Sequence, residues 1–390
     1  MTSYAGDGPL AGIRVVDFSI MIAGPYCTRM LADLGAEVIK IEPPEGDPMR
    51  SRAPLHDGYS RYFGHLNVGK RSVRLDLRTD EGRVAACDLA AEADVLVQNF
   101  RPGVMARYGL DEASCRARNE RLVYCSVSGY GQDGPSAQLP AYAQIVHAMS
   151  GYDLANFGYQ RTADRPANCG IFIADILAGA LSYGAVLTGL VGRGRTGSGD
   201  AVDLSLQEAM MSMLVFETQA AQTDAEFKKT VYRPVRAADQ FVMVSPVTER
   251  NFRALAIAMD RPDLPEDPRF ADIADRERNW DRLYDVIEDW ISGLTATEAE
   301  KRLRDAGVPC GRYREIGEVL DDPQTLTRES LRTVTDGAGD FHVTATPFLL
   351  ASASRKAMPV RVPQLGADTA GVLREVAGYD DARVAAVIGG

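Results

Sequence analysis

The chain has 390 residues, 45% hydrophobic and 25% charged, which excludes wholesale disorder and fibrous architectures and allows two or three domains at roughly 150 residues each. Lys and Arg number 43 against 54 Asp and Glu, a net charge of -11, so no general field draws the chain to nucleic acid or anionic lipid, and an anionic ligand needs a local basic cluster. Six widely spaced cysteines without a C-x-x-C pair make no disulfide framework.

The N-terminal MTSYAGDGPLAGIRVV has no basic segment followed by an apolar core, so no signal peptide is expected, and a cytoplasmic location is. GIRVVDFS reads as a strand, CTRMLADLGA as a helix stopped at Gly35, and EVIKIE as a second strand, together a βαβ unit. SVRLDL, DVLVQNF and RLVYCSVSGYG follow as strands, with DEGRVAACDLAAEA as an amphipathic helix between them. This alternation predicts an α/β fold with a mostly parallel sheet covered on both faces. From Ala141 to Gly192 the sequence is helical and rich in small residues. Gly192 to Asp200, GRGRTGSGD, reads as a glycine-rich turn, AVDLSL as a short strand and QEAMMSMLVFETQAAQ as one helix.

Beyond Thr223 the character changes, and EFKKTVYRPVRAADQFVMVSPVT reads as a linker running into a hairpin. Trp280, Leu283, Tyr284, Ile287, Trp290 and Ile291 recur at helical spacing and predict a core stripe. The next helix opens with Thr295 and Glu298 as a capping box and stops at Gly307 before Pro309. The tail from Leu331 holds the strand-like FHVTATPFLL and a last helix, TAGVLREVAG. A large domain is therefore placed at residues 1–224, completed by 326–390, and a smaller α+β domain at 225–325.

Several familiar chemistries lack their residues. Gly24 is followed by Pro25 rather than by G-x-G-x-x-G spacing, so the first turn is no dinucleotide cradle, and the Gly192 to Asp200 turn lacks the lysine-serine ending of a P-loop. His56, His65, His147 and His342 never fall three or four residues from one another or from a cysteine, so no metal site is expected. No G-x-S-x-G elbow follows a strand. The conspicuous polar residue is Asp175, the single charge in the apolar stretch Gly170 to Gly192, which is long enough to span a bilayer and in a soluble protein reads as a buried helix. Burying a carboxylate costs several kcal/mol unless donors or a cation meet it, and a partly desolvated carboxylate is a better nucleophile. Two plainer readings stay open at this point, a helix N-cap and a membrane helix with one incidental charge.

The stretches GIRVVDFSIMIAGPYCTRMLADLGAEVIKIEPPEGDPMR, NVGKRSVRLDL, ADVLVQNFRPGVMARYGL, SGYGQDGP, ADILAG and TGSGDAVDLSLQEA resemble successive signatures of the family III CoA-transferases, the carnitine and bile-acid CoA-transferase (CaiB/BaiF) group. The resemblance continues through DPRFADIADRERN, LRDAGVPCGRYREIGEVLDDPQ and VPQLGADTAGVLREVAGYD, covering nearly the whole chain in order. It implies a Rossmann-like large domain, a smaller domain, and two chains interlocked as linked rings in a homodimer. It also implies an enzyme that moves CoA from an acyl-CoA to a carboxylic acid through covalent aspartyl intermediates, with CoA as substrate and no metal or tightly bound cofactor.

By the same resemblance the catalytic aspartate falls on Asp175. The CoA contacts fall on Ile22 and Ala23, on Leu75 to Arg78, on Asn99, Phe100 and Arg101, and on Arg107, while Tyr142 and His147 fall in the candidate substrate pocket. Lys70, Arg71, Arg74, Arg78, Arg101 and Arg107 can supply the basic cluster that CoA phosphates require. Ile22, Pro43 and Pro140 depart from the pattern where other members place polar or cationic contacts, and the apolar Ile22 suggests a bulkier or more hydrophobic acyl group. Two alternatives remain, an α-methylacyl-CoA racemase, whose catalytic histidine would align with Tyr142, and a non-catalytic CoA-binding protein. His147, five residues on, also reads as an ordinary helix residue facing the core or an interface.

Overall fold

Six short runs rich in β-branched residues form one parallel sheet: β1 (Arg14–Asp17), β2 (Glu37–Glu42), β3 (Arg71–Arg74), β4 (Val95–Gln98), β5 (Val123–Ser128) and β6 (Ala201–Ser205). In the computed structural model, which describes residues 8–160, 163–224, 231–351 and 358–389, their order is β3-β2-β1-β4-β5-β6, every neighbouring pair parallel. Chain direction across the sheet reverses between β1 and β4. At such a switch point the loops leaving the carboxyl ends diverge and open a crevice, which is where open α/β sheets bind ligands.

Among the described residues up to Gln222, nine α-helices follow in chain order: α1 (Ala23–Asp33), α2 (Arg61–Asn67), α3 (Asp80–Ala91), α4 (Glu112–Arg118), α5 (Ala143–Met149), α6 (Tyr152–Gly158), α7 (Ile173–Thr196), α8 (Leu206–Met213) and α9 (Val215–Ala220). Strand side chains alternate between two cores. Val16, Ile39, Leu96 and Tyr124 face α3 and the tail residues Val372 and Leu373, while Val15, Val38, Val97 and Cys125 face α1, α5 and α7. The tail pairs Leu331–Asp336 with Gly339–Thr344 as a hairpin, and Glu375 in its helix Thr369–Glu375 holds Arg71 at 2.8 Å.

The chain divides into two compact units, Met1–Gln222 with Gln324–Gly390, and Thr223–Pro323. The second has a three-stranded antiparallel sheet, Val235–Arg236, Phe241–Val244 and Cys310–Arg312, beside a helical core. Trp280, Leu283, Tyr284, Ile287 and Ile291 are buried in that core and Trp290 lies partly against it, and the capping box of Thr295 and Glu298 is formed. The expected linker begins at residues 225–230, which lie outside the described residues.

Three local expectations are corrected. The turn placed at Gly192 starts only at Gly197, because Arg193 is buried and donates to Asp94 at 2.9 Å, anchoring one more helical turn. The helix expected from Gln207 to Gln222 is split at Leu214, whose ψ of 49° is not helical, into α8 and α9. The long helix α7, read as a buried one, is buried on one face only: Gly179 and Gly189 press against α1 and β5, whereas Ile176, Leu181 and Val191 are exposed. By length and composition α7 is also apolar enough to cross a membrane.

Candidate active site

β1 ends at Asp17 and β4 at Gln98, adjacent in register, so the loops that leave them meet at the switch point. Beneath the first loop lies a set of paired buried charges. Asp17 accepts from Lys70 at 3.0 Å and from Thr28 at 2.7 Å, and also bonds Ser19. Burial by itself would raise the Asp17 pKa, but the Lys70 and Lys40 charges and the two hydroxyls hold it below the usual carboxylate range. Lys40 in turn pairs with Asp47 at 2.9 Å and donates to the Ser19 carbonyl at 2.8 Å. Asn99, on the second loop, accepts from the Ile20 N–H at 2.9 Å and donates to the Ile20 carbonyl at 2.7 Å. After this clamp Met21 takes a left-handed conformation with φ 65°, and α1 begins without a side-chain cap.

Asp175 is the third residue of α7. Phe172 occupies the N-cap, so the N-cap reading of Asp175 fails. Among the described residues the Asp175 carboxylate has no hydrogen-bond or ion-pair partner, and burial alone pushes its pKa up to about 6. Tyr62 is close enough that the Asp175 charge adds to burial in raising the pKa of its phenol. Tyr62, Met21, Tyr26 and Phe172 all pack against the apolar cluster containing Ile22 and Met49. One turn along α7, Gly179 lets the helix close on α1: a Cβ there would stand 2.5 Å from the Ala23 carbonyl oxygen. Asp175 is thereby carried at the start of α1.

His147 lies buried in α5, and its Nε2 accepts the Ala174 N–H at 3.2 Å, capping α7 one residue before Asp175. Accepting at Nε2 places the proton of the neutral ring on Nδ1, and burial lowers the pKa of the ring, favouring that neutral form. Tyr142 opens α5 and is 66% exposed. Among the described residues no three His, Cys, Asp or Glu side chains gather as metal ligands.

Residues 10–369 match the sequence profile of CoA-transferase family III. The chain belongs to that family. It is 33% identical over 334 residues to the acetyl-CoA:oxalate CoA-transferase of Acetobacter aceti, covering 83% of this chain and 85% of that protein. It is 34% identical over 349 residues to the succinyl-CoA–D-citramalate CoA-transferase of Chloroflexus aurantiacus, covering 86% of each. The crystal structure of a CaiB/BaiF family protein from Brucella suis superposes with a TM-score of 0.83 at 31% identity, over 95% of this chain and 99% of that one. The protein is thus an enzyme that transfers CoA between an acyl-CoA and a carboxylic acid.

In this CoA-transferase the expected CoA residues divide into three groups. Ile22, Ala23 and Leu75 are buried, so each can offer only backbone or a thin edge of side chain, and Phe100 is half-buried against the core. Arg101 and Arg107 are exposed, Arg101 on the rim of a cavity of about 390 Å³ lined also by Gln98, Ser126 and Asp203. Arg78 is exposed but gripped by Asp76 at 2.8 and 2.7 Å. The basic cluster is smaller than expected, because Lys70 is committed to Asp17 inside the protein and Arg71 to Glu37 and Glu375. Sequence reasoning missed Lys40, Asp47, Tyr62 and Gly179. Only Lys40 carried a signal, a lysine between Ile39 and Ile41 in a buried strand.

Proposed function

We propose that Asp175 is the nucleophile of this CoA-transferase. Its carboxylate attacks the thioester carbonyl of the donor, and CoA leaves as the thiolate, giving a mixed anhydride. The thiolate then attacks the aspartyl carbonyl, releasing the first carboxylate and leaving an aspartyl-CoA thioester, and the acceptor acid reverses both steps. The observation that carries this reading is a half-buried carboxylate with no partner among the described residues: at neutral pH it is ionised yet poorly solvated, the state in which a carboxylate is most nucleophilic. In this reading Ile22 and Ala23 at the start of α1 border the acyl group, and the loops at Leu75 to Arg78, Asn99 to Arg101 and Arg107 border CoA. The racemase alternative loses support, since Tyr142 stands where a histidine would serve and the Nε2 of His147 is occupied by the Ala174 N–H.

An interlocked homodimer in the cytoplasm completes the reading. The exposed apolar side chains Ile176, Leu181 and Val191 of α7, with Ile145, Met149 and Met211 on the neighbouring helices, support a partner chain covering this face.

The test is to incubate the protein with acyl-CoA donors, quench with hydroxylamine or borohydride, and examine the Asp175 peptide by mass spectrometry. Modification at Asp175 is expected. An unmodified peptide, with deuterium entering the acyl α-carbon from D2O, would overturn the transferase mechanism in favour of proton abstraction. Screening acids as acceptors, beginning with the oxalate and citramalate named for the relatives, identifies the substrate pair.

A further inference from the structure

The turn from β1 into α1 is held by the side chains of Lys40 within β2, Lys70 just before β3 and Asn99 just after β4. Lys40 donates to the Ser19 carbonyl at 2.8 Å, and Lys70 to the Pro25 carbonyl at 3.0 Å. Between them, the single side chain of Asn99 takes both polar groups of Ile20, accepting its N–H at 2.9 Å and donating to its carbonyl at 2.7 Å, which fixes that residue in place. The next residue, Met21, has φ 65°, a conformation unfavourable for any residue with a side chain and retained only where the surroundings over-determine it. Ile22 and Ala23 follow at once, and the Ala23 carbonyl rests against Gly179, one turn from Asp175.

We propose that Asn99 is a positioning residue: its amide locks the left-handed turn at Met21 and so sets the Ile22–Ala23 backbone against the helix that carries Asp175. This rests on the reading of Asp175 as nucleophile with Ile22 and Ala23 beside the acyl group. It gives the Asn99 side chain a role beyond the expected CoA contact, because its Oδ1 and one of its two N–H groups are already engaged by Ile20 inside the protein.

The experiment compares the rate at which acetyl-CoA or succinyl-CoA modifies Asp175, trapped by hydroxylamine, with the Kd for free CoA. Asn99→Ala is expected to slow saturated labelling about 30-fold while the CoA Kd stays within about threefold. Asn99→Asp keeps the shape and the acceptor but sets an oxygen against the Ile20 carbonyl, so it is expected to slow labelling about 10-fold and serves where the alanine variant fails to fold. Glycine enters the left-handed region freely, so Asn99→Ala with Met21→Gly is expected to label about fivefold faster than Asn99→Ala with Met21→Ala. Equal rates for those two double variants overturn the proposal. So does labelling of Asn99→Ala within about twofold of wild type, or a CoA Kd weakened more than about 10-fold with saturated labelling unchanged, the mark of a direct contact. If neither acyl-CoA modifies wild-type Asp175, the reading of Asp175 itself fails. Normal labelling of wild type with no effect of Asn99→Ala sinks the positioning role alone.

Discussion

Asp17 and Asp175 both belong to the larger unit, and they are treated in opposite ways. Asp17 is fully buried and surrounded by Lys70, Lys40, Ser19 and Thr28, so its charge is met on every side and its pKa falls below the usual range despite burial. Asp175 is half-buried, has no partner among the described residues, and is pushed up to about 6 by burial. A paired buried charge fixes the geometry of the backbone it touches, here the first turn. An unpaired one contributes no stability and keeps its electrons available for a substrate. On the proposed mechanism the first is scaffold and the second is chemistry, with the Asn99 clamp on Ile20 holding the turn between them.

The largest effect is expected where the chemistry lies. Asp175→Ala removes the proposed nucleophile and should lower kcat by at least about 10⁴-fold, with the thermal transition unchanged or raised, measured by steady-state transfer and by calorimetry. Activity within tenfold of wild type, about 1.4 kcal/mol, would place the nucleophile elsewhere. Asp17→Ala should act the other way round, destabilising the larger unit by about 3 kcal/mol because Lys70 and Lys40 lose their shared counter-charge. The sign of its pH dependence follows from the lowered pKa: the Asp17 contribution is present above the unfolded value of 3.8 and is lost as pH falls through the lower folded value. Denaturant titration at neutral pH checks this, and an unchanged midpoint would show the cluster to be dispensable.

Much of this contrast is legible in the sequence, and the rest is not, for physical reasons. The βαβ alternation reports burial on both sheet faces, which period and residue type encode locally, and six strands pair in parallel as that pattern implies. Asp175 stands out because one charge in an apolar helix is anomalous whatever surrounds it. The clamp of Asn99 on Ile20 spans 79 residues and depends on which strands become neighbours, a property of topology that no local pattern contains. Lys70 and Arg71 read as surface cations for the same reason, since their carboxylate partners Asp17, Glu37 and Glu375 come from distant segments. The hairpin strand Leu331–Asp336, alternating buried and exposed, escapes notice because its inward positions include Arg332, which is buried only because Asp33 meets it at 3.1 Å.

A smaller effect is expected at the contact between the two helices. A Cβ on Gly179 would stand 2.5 Å from the Ala23 carbonyl oxygen, a backbone atom with no rotamer to yield, so α7 must shift away from α1. Gly179→Ala should therefore lower kcat by about 10- to 100-fold, since displacements of about 1 Å carry costs of that order when reacting groups are misaligned. Gly184 has no neighbouring atom in the path of a Cβ, and Gly184→Ala on the same helix is the control expected to leave kcat within about twofold. Equal kcat values for the two variants would separate the seating of α7 from catalysis.

The smallest effect tests the comparison from the side of stability. Asp175 has a folded pKa raised to about 6 from an unfolded value of 3.8, so the folded chain holds its proton more tightly. Its protonated form adds stability that is fully present below the unfolded value and is lost as pH rises through about 6. Above that pH wild type carries an unpaired buried charge, which Asp175→Asn removes at nearly constant shape. The variant should melt higher than wild type at pH 8 and at the same temperature at pH 4, the difference corresponding to roughly 2 kcal/mol once partial solvent exposure is allowed for. Activity follows the same group in reverse, with kcat/KM falling on the acid side through the titration of Asp175. A variant less stable than wild type at pH 8 would mean that the carboxylate has a stabilising partner. Asp175 would then belong with Asp17, as scaffold.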